Sequence, residues 1–310
     1  MVRRSKVRYL IGGLILAGFI AAAQVYVGWD HLLAPWASLP LHLVVGAALL
    51  VFASYWVRAV RLYDYFHAPM HGAFTLCFKL MLQHNLLNNL LPMRAGELSF
   101  PVLMLRYFNV PMAQSLPVLV WFRVLDLHTL AGFALLLAGG LWLGNFSWFA
   151  LLLIWAALPY AMFLTSARAV RMLERYPRHR LARGLKTALI GLPHTPGAFW
   201  RAWAWTLINW AVKLGAFAWI MLLFADMPVR AALLGVIAGD LTSVLPVHGI
   251  AGAGTYEAGV VAGLLPFRVP AAAALQAAVN VHLFLLGSTL LGGALAIVLP
   301  GKSSTSAAHG

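Results

Sequence analysis

The chain has 310 residues, of which 62% are hydrophobic and 10% are charged, and its mean hydropathy is +0.85. Soluble domains contain about 25% charged residues, so this composition excludes a soluble globular protein, and such high hydrophobicity excludes a disordered one. The 22 Lys and Arg outnumber the 8 Asp and Glu and give a net charge of +14. An excess of Lys and Arg is typical of the cytoplasmic loops of membrane proteins. Without a nucleic-acid-binding motif, this charge does not predict nucleic acid as a partner. The sequence predicts an all-α polytopic membrane protein.

Eight apolar segments are predicted to be transmembrane helices, because each is near the ~20 residues that cross ~30 Å of hydrocarbon. In chain order they are 9–27, 40–57, 72–91, 112–138, 148–166, 202–224, 231–246 and 271–299. The first follows a basic N-terminus, as in a signal peptide, but the apolar region of such a peptide is only about 7–15 residues long. We therefore expect an uncleaved first helix that starts in the cytoplasm.

The distribution of basic residues predicts the orientation of these helices. Lys and Arg cluster at 3–8, 58–61 and 168–186, whereas 28–40 and 139–147 contain none. The positive-inside rule then places both termini in the cytoplasm. For the helix ends to alternate between the two sides of the membrane, two re-entrant hairpins are required. The first consists of the third segment and 92–110, and it enters from the cytoplasm. The second consists of the seventh segment and 247–268, and it enters from outside.

The two predicted hairpins have similar sequences. Each contains Leu-Pro, then Gly, then Glu, then Val-Pro before a long helix, and the two glutamates, Glu97 and Glu257, are 160 positions apart. Opposite orientations of two similar segments are typical of inverted-topology repeats. A chance similarity between apolar segments rich in Pro and Gly is the alternative interpretation.

The tip of the first hairpin contains Arg94 and Glu97 within an otherwise apolar sequence. A charge at the bilayer centre costs ~2.5–3.5 kcal/mol on insertion scales, so intramembrane charges indicate function. If the tip lies in the membrane, Arg94 can bind an anionic headgroup. The alternative is a surface loop whose charges lie in water.

The tip of the second hairpin is rich in glycine. Backbone N–H groups at Gly252, Gly254 and Thr255 precede Glu257 at the predicted start of a half-helix. Such a helix start favours a phosphate or carboxylate. The alternative is that the glycines serve close helix packing.

Three further charged residues within the predicted helices are candidate site residues. Arg123 and Asp126 are three positions apart and share a helix face, so they bind a ligand or neutralise each other as an internal ion pair. Asp240 lies in the seventh segment. Cys77 is the only cysteine, so no intrachain disulfide is predicted. The eleven histidines form no ligand motif, and we predict neither a metal nor another cofactor.

At these positions the chain resembles the flippase-like transmembrane domain of lysylphosphatidylglycerol synthases and its stand-alone relatives. The family pattern is Leu-Pro-x-Arg-x-Gly-Glu, an Arg-x-x-Asp helix, and Leu-Pro followed by a Gly-rich segment and Glu. The matching residues are Leu91, Pro92, Arg94, Gly96, Glu97, Arg123, Asp126, Leu245, Pro246, Gly252, Gly254 and Glu257. The basic pair Arg58 and Arg61 also looks like the family, and the resemblance covers about 10–300. The chain departs from the pattern at Val247-His248.

The resemblance implies a single flippase-like domain at 1–300 in the inner membrane of a bacterium, and translocation of a lipid with a polar headgroup across that membrane. The segment 301–310 is rich in Ser, Thr and Ala, and we expect it to be a short disordered tail. No aminoacyltransferase domain follows the last helix, so lipid aminoacylation is not implied. We expect a phospholipid or polyprenyl-phosphate substrate whose phosphate contacts Arg94, Arg123 and the backbone of 252–255. The carboxylates of Glu97, Asp126, Asp240 and Glu257 then orient the cations or couple transport to protons.

Two other functions remain open from the sequence. One is an intramembrane lipid-modifying enzyme, which needs an acid/base or nucleophile constellation near one interface, whereas the charged residues here are divided between hairpins of opposite orientation. The other is an accessory subunit of an envelope-lipid pathway. We expect transport rather than enzyme activity.

Overall fold

The computed structural model describes residues 2–91, 96–142, 145–176, 178–242 and 250–301, and at 2–12, 141–142 and 145 it describes the backbone alone. These ranges contain helices and turns and no β-strand. The prediction of an all-α polytopic membrane protein is confirmed. Residues 302–310, which form most of the predicted tail, lie outside the described residues.

Thirteen α-helices occur in the described ranges. They are α1 (Val2–Tyr26), α2 (Trp29–Leu33), α3 (Leu41–Tyr65), α4 (His67–Met70), α5 (Phe74–Leu90), α6 (Ser99–Phe108), α7 (Met112–Trp142), α8 (Asn145–Leu173), α9 (Arg180–Ile190), α10 (Pro196–Phe224), α11 (Val229–Thr242), α12 (Thr255–Leu264) and α13 (Ala271–Val298). Short 3-10 turns occupy Ala34–Ser38, Ile250–Gly252 and Leu265–Phe267.

Six described helical segments are long and apolar enough to cross a membrane, or seven if a bent pair counts as one span. The six are Leu41–Tyr65, Met112–Gly140, Phe146–Leu173, Pro196–Phe224, Ile250–Phe267 and Ala271–Val298. The bent pair joins Gly13–Tyr26 to Trp29–Ser38 at an angle of 92°. The predicted segments 72–91 and 231–246 form shorter helices that are not among these spans, whereas Ile250–Phe267, which was predicted to belong to a hairpin, is among them.

The short helices are the limbs of the two predicted hairpins. α5 has 17 residues and α11 has 14, which correspond to about 26 Å and about 21 Å at 1.5 Å per residue. The second limbs, α6 and α12, have 10 residues each, or about 15 Å. None of these four helices alone reaches ~30 Å, although α12 together with its flanking 3-10 turns forms the 18-residue candidate span Ile250–Phe267. Their lengths agree with hairpin limbs, and re-entry into the membrane stays a prediction.

Three predicted loops are helical in the structure. Residues 28–40 contain α2 and a 3-10 turn, and the basic segment 168–186 contains the end of α8 and most of α9. The predicted loop at 58–61 lies inside α3, so Arg58 and Arg61 are helical residues. The helix predicted at 40–57 continues to Tyr65, because charge was taken as its end, whereas a charged side chain with an internal partner, such as Arg61, can continue a helix.

The chain forms two compact units, each built from separated parts of the sequence. The first unit comprises Met1–Trp56, Met81–Ser99 and Ala211–Leu299, and the second comprises Val57–Leu80, Phe100–Trp210 and Pro300–Gly310. In the first unit, α12 packs against α11 and α13. In the second unit, α7, α8 and α9 pack together, and Trp121 and Phe199 are fully buried.

Candidate functional site

A buried charge cluster in the second unit centres on Asp126 of α7. Arg61 of α3 donates from Nη1 to Asp126 Oδ1 over 2.7 Å and to Thr206 Oγ1 over 2.8 Å. Trp210 Nε1 donates to the same Asp126 oxygen over 3.1 Å. The side chains of Arg61 and Asp126 are 4% and 10% exposed. Three helices, α3, α7 and α10, thus contribute to one network of charge-assisted hydrogen bonds, which are stronger than neutral ones.

Arg61 has one hydrogen-bond donor that the network does not use. Its guanidinium carbon lies 4.2 Å from the centroid of the Phe122 ring, and its Nε–H has no acceptor within the described part of the chain. A buried donor without an acceptor costs about 1–3 kcal/mol. Arg61 Nε carries this cost in the arrangement that the structure describes.

Arg123 is the more exposed cation of the cluster. Its Nη1 lies 3.5 Å from Asp126 Oδ2, and its side chain is 31% exposed. The ion pair that the spacing predicted is therefore present, although the shorter contact of Asp126 is with Arg61. A guanidinium has five N–H donors, so Arg123 can contact Asp126 and an anion at the same time.

The sequence analysis did not select Arg61 as a site residue, because 58–61 was assigned to a cytoplasmic loop. The spacing of the polar residues in this part of the sequence nevertheless indicated that the helix continues. Ser54, Arg58 and Arg61 follow each other at intervals of four and three residues, which places them on one face of a continuing helix. Ser54 is fully buried and Arg61 nearly so. A polar helix face next to an apolar segment indicates a buried network.

In the first unit, Asp240 of α11 forms a buried ion pair with Lys213 of α10. Lys213 Nζ lies 2.9 Å from each carboxylate oxygen of Asp240. The side chains of Lys213 and Asp240 are 13% and 8% exposed. Lys213 Nζ also lies 5.3 Å from the centroid of the Phe217 ring, within cation–π range. The predicted site residue Asp240 therefore belongs to a pair that is neutral as a whole.

Glu257 of α12 uses both of its carboxylate oxygens. Oε1 lies 2.7 Å from His282 Nδ1 on α13, and Oε2 accepts the Gly254 N–H over 2.8 Å. Glu257 is the third residue of α12, so its contact with Gly254 is a helix-capping interaction. His282 Nε2 lies 3.0 Å from the carbonyl oxygen of Ala251. The chain's own carboxylate thus caps the helix start where the sequence predicted a lipid phosphate.

The segment before α12 is an ordered turn with its own hydrogen bonds. Gly252 and Gly254 have φ of 83° and 85°, which favour glycine because it lacks a Cβ. The Thr255 hydroxyl donates to the Gly252 carbonyl oxygen over 2.9 Å. The Gly254 N–H, which was predicted to lie near the headgroup, and the Thr255 hydroxyl therefore make contacts within the hairpin.

The hairpin of α11 and α12 is closed by glycines spaced by four residues in both helices. They are Gly235 and Gly239 in α11, and Gly259 and Gly263 in α12. A Cβ on Gly263 would lie 2.7 Å from the Leu234 carbonyl oxygen, closer than such atoms approach. Paired Gly-x-x-x-Gly motifs let two helix backbones come together. Close packing, the alternative reading of glycines near this tip, therefore applies to these four.

Some of the predicted site residues lie outside the described residues. In the first hairpin these are 92–95, which include Arg94, and in the second they are 243–249, which include Leu245 and Pro246. The predicted contact of Arg94 with a headgroup stays a prediction.

Gly96 is buried against the last turn of α5. A Cβ on Gly96 would overlap the Leu87 carbonyl oxygen and the backbone of Asn88. Glu97 follows it in a 3-10 turn and is half-buried. The Gly-Glu pair of the first hairpin therefore requires glycine for a close approach of two backbone segments.

Helix α13 contacts both hairpins within the first unit. The Asn89 side-chain amide at the end of α5 donates to Thr289 Oγ1 over 2.9 Å, and Glu257 of α12 contacts His282. Positions 282 and 289 are seven residues apart, so they lie on one face of α13 about 10.5 Å from each other. One helix thus carries a polar contact to each hairpin.

A cavity of about 330 Å³ lies elsewhere in the second unit. It is lined by Asp64, Tyr65, Pro193, His194, Thr195, Ala198 and Ala202. Arg201 Nε donates to both carboxylate oxygens of Asp64, over 3.1 Å and 3.0 Å. The carboxylate in the cavity wall is thus balanced by an adjacent cation.

A metal centre has no support in the described ranges, where no three His, Cys, Asp or Glu side chains come together. Cys77 is a buried free thiol with its Sγ 3.5 Å from the Ala59 carbonyl oxygen. His128 packs flat against Trp155, and each ring contacts the backbone carbonyl oxygen of the other residue. These two side chains have structural contacts inside the second unit.

Comparison with known proteins gives one family. The model of the family described as "Lysylphosphatidylglycerol synthase TM region" matches residues 9–293, nearly the whole chain. No curated protein and no solved structure matches the chain.

Proposed function

We propose that this chain, which belongs to the family of lysylphosphatidylglycerol synthase transmembrane regions, is a transporter that moves a lipid between the leaflets of the bacterial inner membrane. The lipid carries an anionic or phosphate-containing headgroup, of the phospholipid or polyprenyl-phosphate type. The family supports a lipid-related function of a multi-pass membrane protein. The cluster around Asp126 supports the chemistry of the headgroup.

The observation that carries the proposal is the buried donor of Arg61 beside the exposed cation of Arg123. Phosphate oxygens accept from guanidinium groups in strong, charge-assisted hydrogen bonds. Arg61 Nε–H has no acceptor among the described residues, and Arg123 is partly exposed. Asp126 holds both guanidinium groups in place, so the headgroup binds a site that is already ordered.

The arrangement of the carboxylates favours transport over catalysis. Asp126 and Asp240 each contact a basic side chain, and Glu257 contacts an imidazole and a backbone N–H. Such pairs balance charge inside the membrane at moderate cost. Transport requires binding and release of the headgroup without a covalent change, and the charge pairs are suited to that.

We further propose that the two hairpins are re-entrant from opposite sides of the membrane and that both termini are cytoplasmic. The short lengths of α5, α6, α11 and α12 support the hairpins, and the basic clusters at 3–8 and 168–186 support the orientation. Broken helices at membrane depth are tolerated where they are buried or line a cavity. The hairpins are therefore the expected moving parts of the transporter.

The proposal is tested by a leaflet-translocation assay with purified protein in liposomes. Labelled lipids with anionic and zwitterionic headgroups are compared, and the lipids are analysed by mass afterwards. We expect faster movement of the anionic lipids than in protein-free liposomes. Arg123→Gln removes a charged hydrogen bond, typically about 1.5–3 kcal/mol, and should weaken headgroup binding by about tenfold or more.

Arg106→Gln is the matched control, because Arg106 is an exposed arginine in α6. It should transport like the unchanged protein. Equal behaviour of Arg123→Gln and Arg106→Gln would contradict the headgroup site. No protein-dependent movement of any labelled lipid would contradict transport, and a change in lipid mass would favour an enzyme.

A further inference from the structure

The contacts of His282 fix the number of protons that it shares with Glu257. A backbone carbonyl oxygen only accepts hydrogen bonds, so the nitrogen that faces Ala251, His282 Nε2, carries a hydrogen. The other nitrogen, Nδ1, faces Glu257 Oε1 at 2.7 Å. Either Nδ1 also carries a hydrogen and Glu257 is ionised, or Glu257 is protonated and donates to Nδ1. In both cases the pair holds one proton more than an ionised carboxylate with a neutral imidazole.

We propose that Glu257 and His282 form a proton-binding dyad, and that release of its proton breaks one of the two contacts of His282, either with Glu257 of α12 or with the turn at 250–254. Without the proton, the single ring hydrogen of His282 can serve only one acceptor. If it stays on Nε2, the Nδ1 lone pair faces the carboxylate. If it moves to Nδ1, the Nε2 lone pair faces the Ala251 carbonyl oxygen. One of the two contacts is lost in either arrangement.

The turn that this contact holds is strained. Ala251 has φ of 55°, a left-handed conformation that residues with a Cβ rarely adopt. Such a conformation persists only where surrounding contacts fix it. Two hydrogen bonds make these contacts. His282 Nε2 donates to the Ala251 carbonyl oxygen, and the Gly254 N–H donates to Glu257 Oε2. Release of the proton therefore removes either the direct contact of this turn with α13 or the contact of His282 with Glu257, the residue that caps Gly254.

The groups around the dyad do not replace the proton. The Tyr256 ring lies 4.6 Å from the His282 ring, and its hydroxyl has no hydrogen-bond partner within the described residues. Asp240 of α11, whose charge acts on Tyr256, is paired with Lys213 of α10. From α1, Ile15 and Phe19 face Gly254 and are apolar. His248 lies outside the described residues and is tested by substitution.

The position of the dyad on α13 links it to the first hairpin. Thr289, which accepts the hydrogen bond from Asn89, lies two turns beyond His282 on the same face. A proton-dependent contact with the second hairpin and a polar contact with the first thus share one helix. We infer that lipid movement is coupled to the proton, a part of the inference that rests on the proposed transport. The proton site itself does not depend on transport.

The proton site is tested by magnetic resonance of protein with nitrogen-labelled histidine, in lipid nanodiscs, together with infrared spectra of the carboxyl bands. The His282 signals are assigned by their loss in His282→Gln, and the Glu257 band by its loss in Glu257→Gln. We expect one shared proton at the low end of the range from about pH 5 to about pH 8, and its release within that range.

An ionised Glu257 beside a neutral His282 throughout the range would overturn the proton site. A proton retained throughout the range would overturn its release. His248→Ala should leave the titration of the dyad unchanged, and a loss of the titration in this variant would assign the proton elsewhere.

The coupling is tested by translocation in liposomes with and without a pH difference, and the readout is the ratio of the two lipid distributions. One proton per lipid allows up to about tenfold accumulation per pH unit, because a pH unit is a tenfold ratio of proton activity. We expect a ratio of several-fold for the unchanged protein. Glu257→Gln and His282→Gln should reduce the ratio to about one.

Gln276→Ala is the matched control on α13, because Gln276 donates to the His31 carbonyl oxygen and does not titrate. It should keep the ratio of the unchanged protein. Transport without any response to the pH difference, or a full response in both dyad variants, would overturn the coupling. Absence of transport in the unchanged protein would contradict the proposed function instead, and the spectra would still decide the proton site.

Discussion

Asp126 is the residue on which the polar network of the second unit depends. It accepts hydrogen bonds from Arg61 and Trp210 and contacts Arg123, so three side chains are held by one carboxylate. Because Arg61 is nearly fully buried, water cannot replace the carboxylate there. The same group therefore carries stability and positions the cations that are proposed to bind the headgroup.

We predict that Asp126→Asn destabilises the protein by about 3–5 kcal/mol, because it leaves the Arg61 charge buried without a counter-charge. Asp64→Asn is the control, since it breaks the more exposed pair of Asp64 and Arg201, which should contribute about 0–1 kcal/mol. The measurement is unfolding of both variants in detergent micelles. Similar losses in the two variants would contradict the assignment of Asp126 as the centre of a buried network.

A second residue-scale prediction concerns Gly96. We expect Gly96→Ala to destabilise the protein by about 1–3 kcal/mol, because its Cβ would overlap the backbone at the end of α5. Gly140→Ala in α7 is the matched control, since no atom lies within 4 Å of a Cβ at Gly140. The two variants are compared by thermal unfolding, and an unchanged midpoint for Gly96→Ala would argue against the close approach.

The sequence identified several of these residues but not all of their partners. The spacing of Arg123 and Asp126 predicted their contact, because helix geometry relates residues three apart. The pairing of Asp126 with Arg61 and of Glu257 with His282 joins residues that are distant in the chain, which no local pattern specifies. Arg61 was also missed because a basic residue near the end of a helix fits both the positive-inside rule and a buried ion pair, and the sequence does not distinguish the two.

Helices α11 and α12 pack closely, because glycines of each helix face the other. This packing sets the position of Glu257 relative to α13. The glycine spacing was present in the sequence, as Gly235 with Gly239 and Gly259 with Gly263. It was not used because glycine in an apolar segment also predicts breaks and turns.

We predict that Gly263→Ala separates α12 from α11 and destabilises the protein by about 1–3 kcal/mol. The reason is the 2.7 Å distance from the added Cβ to the Leu234 carbonyl oxygen. Gly287→Ala in α13 is the control, with open space at its Cβ. Alanine also favours helix over glycine by up to about 1 kcal/mol, so the control should be neutral or slightly stabilised.

Unfolding in detergent measures both glycine variants, and the His282 signals report whether α12 has moved away from α13. A stable Gly263→Ala protein with unchanged His282 signals would contradict the tight packing of this hairpin.

Helix existence was predicted better than helix ends. The apolar segments at 112–138, 202–224 and 271–299 correspond to α7, α10 and α13. The ends differ because hydrophobicity reports the part of a helix in contact with apolar surroundings, whereas helical hydrogen bonding continues beyond it. The bend of 92° between α1 and the segment 29–38 was not predicted. Contacts distant in sequence hold it, such as the 2.6 Å hydrogen bond from Trp36 to Asn280.

For the whole molecule, composition alone identified the class of protein, because 62% hydrophobic residues with 10% charged residues are compatible only with a lipid environment. The division into two discontinuous units was not predicted. It arises from the packing of chain segments that are far apart in sequence. The inverted repeat and the re-entrant hairpins depend on orientation in the membrane, and that orientation is open to direct measurement.

The orientation prediction is best tested within one helix. Ser147 and Ser166 both belong to α8 and are 19 positions apart, which corresponds to roughly 28 Å, close to the thickness of the hydrocarbon layer. If α8 spans the membrane and leads into the basic segment 168–186, Ser147 lies outside and Ser166 lies inside.

Single cysteines at these positions, introduced into a Cys77→Ala background, report the side of each end. A membrane-impermeant thiol reagent should label Ser147→Cys in intact cells, and it should label Ser166→Cys only after permeabilisation. The Cys77→Ala protein without a new cysteine is the control for background labelling. If both positions react from the same side, α8 does not cross the membrane, and the alternation of sides that requires two opposed hairpins is lost with it.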